Sequence, residues 1–143
     1  MLKLLPKINT MEAQQNLELE KLNDLNRHQF SNVVYFDNEV KYLKTLLHKY
    51  FMSMISEIHI EKVQQINSKL SQLNMINLII EKDVRLHQNN LQIEVQNIDF
   101  LQTENLKVEE EINDLNKCFR SIRREIFIFY RDISTDNLAK AFD

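Results

Sequence analysis

Glycine is absent from the 143 residues, and proline occurs once, at Pro6. Glycine supplies positive φ and proline presets φ near −65°, so a chain with so little of either encodes few tight reversals. Only Asn and Asp remain as ready turn formers. The lack of glycine also excludes the glycine-rich phosphate loops and dinucleotide fingerprints, whose backbone must approach the ligand closely. A single cysteine, Cys118, rules out an intramolecular disulfide and suits a reducing compartment. No charge sign dominates: a net charge of −3 offers no strong field to nucleic acid or an anionic membrane. The longest uncharged stretch, Leu70 to Ile80, falls well short of the ~20 residues a membrane span needs. The opening MLKLLPKINT has too short an apolar run for a secretory signal. These absences predict an intracellular, cytoplasmic protein with no membrane span.

What is present is a repeat. With position a of a heptad at residue 63, the a positions read Val63, Leu70, Asn77, Val84, Leu91, Ile98, Asn105, Ile112, Phe119, Ile126 and Ile133. The d positions read Ile66, Leu73, Ile80, His87, Glu94, Leu101, Val108, Leu115, Ile122 and Phe129. The seam is apolar except at Asn77, His87, Glu94 and Asn105, and its phase never skips. A sustained 3.5-residue repeat is the mark of a coiled coil, because only supercoiling keeps such a seam against a partner. As one helix, residues 63–133 would extend roughly 100 Å at ~1.5 Å per residue. A second register begins upstream: Leu19, Leu22, Asn26, Gln29, Val33, Phe36, Val40, Leu43, Leu47, Tyr50, Met54. It is out of phase with the first. Between them, Tyr50 to Ile60 is apolar on nearly every side, which reads as a stutter or bend, with a tight helical hairpin as the alternative.

The expected fold is therefore all-α: an elongated coiled coil of one or two long helices with a heptad phase break near residues 50–62. Its parts are a leader at 1–9, a first coiled-coil segment at 10–54, a break or hinge at 55–62, a long coiled-coil segment at 63–133 and a tail at 134–143. Asn9 with Glu12 three residues on reads as a capping box. The polar cluster Asp132, Ser134, Thr135, Asp136 and Asn137 reads as the end of the long helix.

No catalytic, cofactor or metal site emerges. The histidines at 28, 48, 59 and 87 and Cys118 lack metal-ligand spacing, and carboxylates on helix faces have no pocket to shift their pKa. The chain is read as a non-enzyme without small-molecule substrate. The interrupted layers carry more information. Asn77 and Asn105 at a are register-setting candidates, since a buried Asn at a costs stability unless a polar group meets it. His87 at d reads as a histidine in a loose layer, and Glu94 at d marks a place where the seam wanders. A parallel homodimer finds no attractive g–e pair, and Glu104 would repel Glu109. An antiparallel alignment centred near Leu86 instead pairs Lys62 with Glu111 and Lys69 with Glu104. A heteromeric coiled coil with a partner basic opposite Glu104, Glu109 and Glu111 suits the charges as well and is slightly preferred.

Two patches are surplus to a two-stranded seam. One is Tyr50, Phe51, Met54 and Ile58. The other interleaves Lys117, Arg120, Arg123, Arg124 and Arg131 with Phe119, Phe127, Phe129 and Tyr130, among which Phe127 and Tyr130, with Ile128, have no place in the seam; Arg123, Arg124, Phe127 and Tyr130 are its docking candidates. Both are candidate docking patches, although cations also favour helix C-termini. The functional expectation is a structural or adaptor coiled-coil subunit of a larger intracellular assembly, cytoskeletal, with a ciliary or centrosomal setting suggested by analogy of architecture. The alternatives are a SNARE-like or vesicle-tethering helix and a compact helical-hairpin binding domain.

Overall fold

A computed structural model of the chain describes residues 5–51, 57–93 and 97–142. They form α1 (Leu5–Leu46), a π-helical turn (Leu47–Phe51), α2 (Glu57–Leu91) and α3 (Ile98–Phe142). Pro6 lies in the first turn of α1, where its missing N–H removes no intrahelical bond. With no other proline and no glycine, nothing in the chemistry interrupts the long runs. Helix α1 therefore begins ahead of Asn9, which is not its cap. Likewise α3 runs through the polar cluster after Ile133, and Thr135 turns its hydroxyl back onto the Arg131 carbonyl at 2.9 Å.

The chain forms two units, one made of Met1–Val33 with Ile79–Ile112, the other of Val34–Leu78 with Asn113–Asp143. Each is a three-helix bundle, with one segment from each of α1, α2 and α3. In the first unit, Leu22 of α1 packs against Leu91 of α2 and Leu101 of α3, with Leu19 and Ile98 alongside. Asn26 reaches the Val84 carbonyl, so α1 and α2 are antiparallel there. Glu104 of α3 meets both His87 and Asn90 of α2, so those two helices are antiparallel as well. In the second unit, Phe36 of α1 stacks on Phe119 of α3 with ring centroids 5.1 Å apart and planes 3° from parallel. Glu125 of α3 meets Lys62 and Lys69 of α2, and Lys44 at the end of α1 lies 2.9 Å from the Ser71 hydroxyl on α2.

This arrangement overturns the elongated coiled coil and the single helix over residues 63–133. The chain reverses between Leu91 and Ile98, inside the supposedly unbroken seam. The Asn89 and Asn90 carbonyls accept from the amides of Gln92 and Ile93 as α2 ends. Asn97 caps α3, its Oδ1 accepting from the amides of Asp99 at 3.0 Å and Phe100 at 3.4 Å. Leu91 and Ile98 are one heptad apart, so the turn consumes a whole repeat and leaves the phase in step. Glu94 falls within this connection, outside the described residues. The phase break near residues 50–62 falls partly outside the described residues, but the helices on either side of it run alongside each other, since Ser71 of α2 meets Lys44 of α1.

The seam residues are covered by the chain's own helices. Val63, Ile66, Leu70, Leu73, Ile80, Val84, Leu91, Leu101, Val108, Ile112, Leu115, Phe119, Ile122, Ile126, Phe129 and Ile133 are buried, as are Leu22, Val33, Phe36, Val40, Leu43 and Leu47 of the upstream register. Ile98, in the first turn of α3, is half-buried. A seam closed in this way has no face left for an obligate coiled-coil partner, which corrects both the heteromer and the antiparallel homodimer.

Candidate functional site

In the first unit the core is polar where the heptads predicted interruptions. Asn26 and Gln29 of α1, His87 of α2 and Asn105 of α3 are all buried. The Gln29 side-chain amide donates to Asn105 Oδ1 at 2.8 Å and to Glu109 Oε1 at 2.9 Å. Asn26 Nδ2 donates to the Val84 carbonyl at 3.2 Å and lies 3.5 Å from Gln29 Oε1. Two side chains of α1 thereby grip both other helices, and a slip of one residue would break every one of these bonds. Fixing register in this way is the best-attested use of buried polar groups. Asn105 and Glu109 are thus register residues whose partner lies within the chain.

His87 is fully buried, with Nδ1 2.6 Å from Glu104 Oε1. Asn90 Nδ2 donates to the other Glu104 oxygen at 2.7 Å. Burial pushes the Glu111 carboxyl up from 4.5 to about 7, helped by a hydrogen bond and repulsion from Asp83, while Lys107 on its own helix opposes the rise. The carboxylates that should have attracted a basic partner chain have internal partners: His87 and Asn90 for Glu104, Gln29 for Glu109, and Lys107 for Glu111, which burial and Asp83 hold toward its neutral form. Lys62 and Lys69 pair with neither Glu111 nor Glu104 but with Glu125, at 2.7 and 3.0 Å. The hydrogen bond from Lys62, against some desolvation and with further help from Lys69, holds the Glu125 carboxyl below its ordinary range.

Between α2 and α3 in the second unit lies an open groove of about 820 Å³, lined by residues including His59, Lys62, Arg124, Ile128 and Phe129. Its floor includes the buried Phe129, whose ring meets His59 edge-on with centroids 5.9 Å apart. Beside the groove, α3 turns outward the b, c and f positions of its heptads: Lys117, Arg120, Ser121, Arg124, Phe127, Ile128 and Arg131. Between Lys117 and Arg131 these positions hold four cations and no acid, while Glu125 and Asp132 line the groove beside them. Phe127 is 64% exposed, and Ile128 and Tyr130 are also exposed. Arg123 is turned the other way, onto Glu39 at 3.1 Å.

Of the candidate docking residues, Arg124, Phe127 and Tyr130 lie on the surface of α3, and Arg123 is occupied by Glu39. The side chains of Tyr50, Phe51, Met54 and Ile58 lie outside the described ones. Asn77 is buried on α2 in the second unit. Sequence reasoning overlooked the Asp83–Glu111 contact, the bridging role of Gln29 and the groove residue His59. The signal for Gln29 was available, since each of the three helices carries a polar interruption in its seam. Among the described residues no group of three or more His, Cys, Asp or Glu side chains is placed to hold a metal ion, and no helix is long and apolar enough to cross a membrane. Comparison with protein-family models, curated proteins and solved structures finds no match to this chain.

Proposed function

We propose that the chain is a self-folding helical-bundle binding domain that meets a protein partner through outward helix faces while its heptad seams serve its own core. The observation that carries this reading is the burial of the seams of α1, α2 and α3 by one another. Large apolar side chains such as Tyr35, Tyr42, Phe100, Phe127 and Tyr130 remain exposed on the outer faces, and aromatic and arginine side chains are enriched where proteins meet. This replaces the coiled-coil adaptor subunit, whose seam had to stay open for another chain. The reading is of a binder and not a catalyst, because the buried histidine and the inward acids meet partners within the bundle. The setting attached to it is intracellular, as a one-cysteine chain suits. Imaging a tagged full chain tests that setting, including any association with cytoskeletal filaments.

Sedimentation velocity with thermal unfolding tests the central claim. The expected outcome is a cooperatively folded monomer whose transition is the same at nanomolar and at micromolar concentration. A chain that folds only as it associates would return the seams to an intermolecular role and end this reading.

A further inference from the structure

We propose that the outward face of α3 from Lys117 to Arg131, with the adjoining groove of the second unit, binds an acidic amphipathic helix of a partner protein. This rests on the binding-domain reading above and names the partner's chemistry.

Charge complementarity carries the argument. Lys117, Arg120, Arg124 and Arg131 recur at helical spacing on one side of α3, and between Lys117 and Arg131 no acid shares their b, c and f positions, the nearest being Asp114 one turn earlier. None of the four forms an ion pair among the described residues. The neighbouring acid Glu125 is consumed by Lys62 and Lys69, and Glu39 is consumed by Arg123. Those two acids are therefore taken up by other cations, while Asp114 and Asp132 stay exposed at the two ends of the face and leave an excess of positive charge between them. Such a concentration is not the overflow of a basic chain, since the whole sequence is acidic by three charges.

The face is not purely cationic. Phe127 and Ile128 interrupt the row of cations, and Ile128 leads down to Phe129 at the floor of the groove. Arginine and aromatic side chains together are the anchors that hot spots favour. A partner helix with carboxylates three and four residues apart would lay them along Arg120, Arg124 and Arg131. One aliphatic side chain between those carboxylates would fill the groove beside Ile128. That is the helix-in-groove mode with a charged rim.

An anionic membrane suits the face less well. A membrane-surface helix sinks a broad apolar face into the headgroup boundary with its cations at the margins. Here the cations hold the centre, and the apolar seam of α3 is spent on the bundle core.

The test uses the full chain and a fluorescein-labelled, alanine-based peptide of about 18 residues, with Glu at i, i+4, i+7 and i+11 and Leu between them on the same face. Fluorescence anisotropy should show saturable binding that weakens with added salt. A matched peptide with Gln in place of Glu should bind far less. The double variant Arg120→Glu/Arg124→Glu should weaken binding by about tenfold or more, and Phe127→Ser should weaken it at unchanged salt dependence. These side chains are exposed, so circular dichroism and the unfolding midpoint should not move. Should the first pair disturb folding, Lys117→Glu/Arg131→Glu supplies the same reversal elsewhere on the face. The proposal is overturned by no binding, by equal binding of the Gln peptide, or by binding indifferent to charge reversal. Tighter binding to phosphatidylserine vesicles or to a single-stranded oligouridylate than to the peptide would also overturn it, in favour of lipid or nucleic acid. A chain that stays monomeric while ignoring the peptide removes this proposal alone, whereas a chain that folds only by associating removes the domain reading beneath it.

Discussion

Replacing Phe36 with alanine is the sharpest test of a core closed within one chain. Phe36 is 1% exposed and stacks on Phe119, which is fully buried, at 5.1 Å between centroids. Truncating a buried phenylalanine removes its transfer free energy and leaves a cavity, costing about 3–5 kcal/mol. Domains of this kind are stable by about 5–15 kcal/mol in total, so the variant should lose at least about a fifth of its stability. Urea slopes for small proteins are about 1–3 kcal/mol per molar, so a loss of about 4 kcal/mol should lower the midpoint by roughly 2 M. Part of that loss belongs to the ring pair itself. A double-mutant cycle with Phe119→Ala should therefore return a coupling of about 1 kcal/mol beyond the sum of areas. Far-UV circular dichroism in urea, run at about 1 and about 100 µM protein, reads both quantities. The wild-type midpoint should be the same at both concentrations, because the stacked rings belong to one chain. A midpoint that climbs with concentration, or a coupling near zero, would refute the intrachain packing of α1 on α3.

Two further tests address the first unit. The Glu111 carboxyl is raised to about 7, by burial first and by Asp83 next, so the folded form keeps its proton while the unfolded form ionises near 4.5. Stability should accordingly fall as pH rises from about 4.5 to 7 and stay lowered above that. A shift of one unit corresponds to about 1.4 kcal/mol, but the side chain is 24% exposed and solvent screens it, so a gain of about 1 kcal/mol is expected for Glu111→Gln at pH 8. Unfolding curves at pH 5 and pH 8 decide this, and a variant no more stable than wild type at pH 8 would count against it. Gln29→Ala should cost about 1–3 kcal/mol by stranding Asn105 and removing a donor from Glu109. Replacing both Gln29 and Asn105 with leucine should recover much of that stability while loosening the register. A silent Gln29→Ala in urea unfolding would mean that the amide bridge contributes nothing.

The candidate site was legible in part. Arg124, Phe127 and Tyr130 stood out because a two-stranded seam has no use for them, and they do lie on the surface of α3. What the heptads could not reveal is which cations would be consumed by the chain itself. Arg123 and Arg124 are neighbours in sequence, yet a helix rotates successive residues by about 100°. That rotation sends one onto Glu39 and leaves the other facing outward. Gln29 is one polar position of the upstream register, and nothing local indicates that its amide joins Asn105 and Glu109 of α3.

Sequence alone determined that this chain is helical and which stripe of each helix is buried. Both follow from local chemistry, through the lack of glycine, the one early proline and a period that places Val63 to Ile133 and Leu19 to Leu47 on coherent faces. Tertiary structure decided what covers those faces. A heptad pattern is unchanged by any displacement of seven residues, so it cannot distinguish a second chain from a later part of the same one. Lys69 meets Glu125, three heptads beyond the Glu104 that the sequence offered it, and the antiparallel match becomes intramolecular without altering a single heptad position. The reversal between Leu91 and Ile98 stayed hidden for the same reason, with only Asn89, Asn90, Asn97 and the misplaced Glu94 to mark it. A helix tethered by so short a connection is present at high effective concentration, and that is the physical reason the seams close on their own chain before another can reach them.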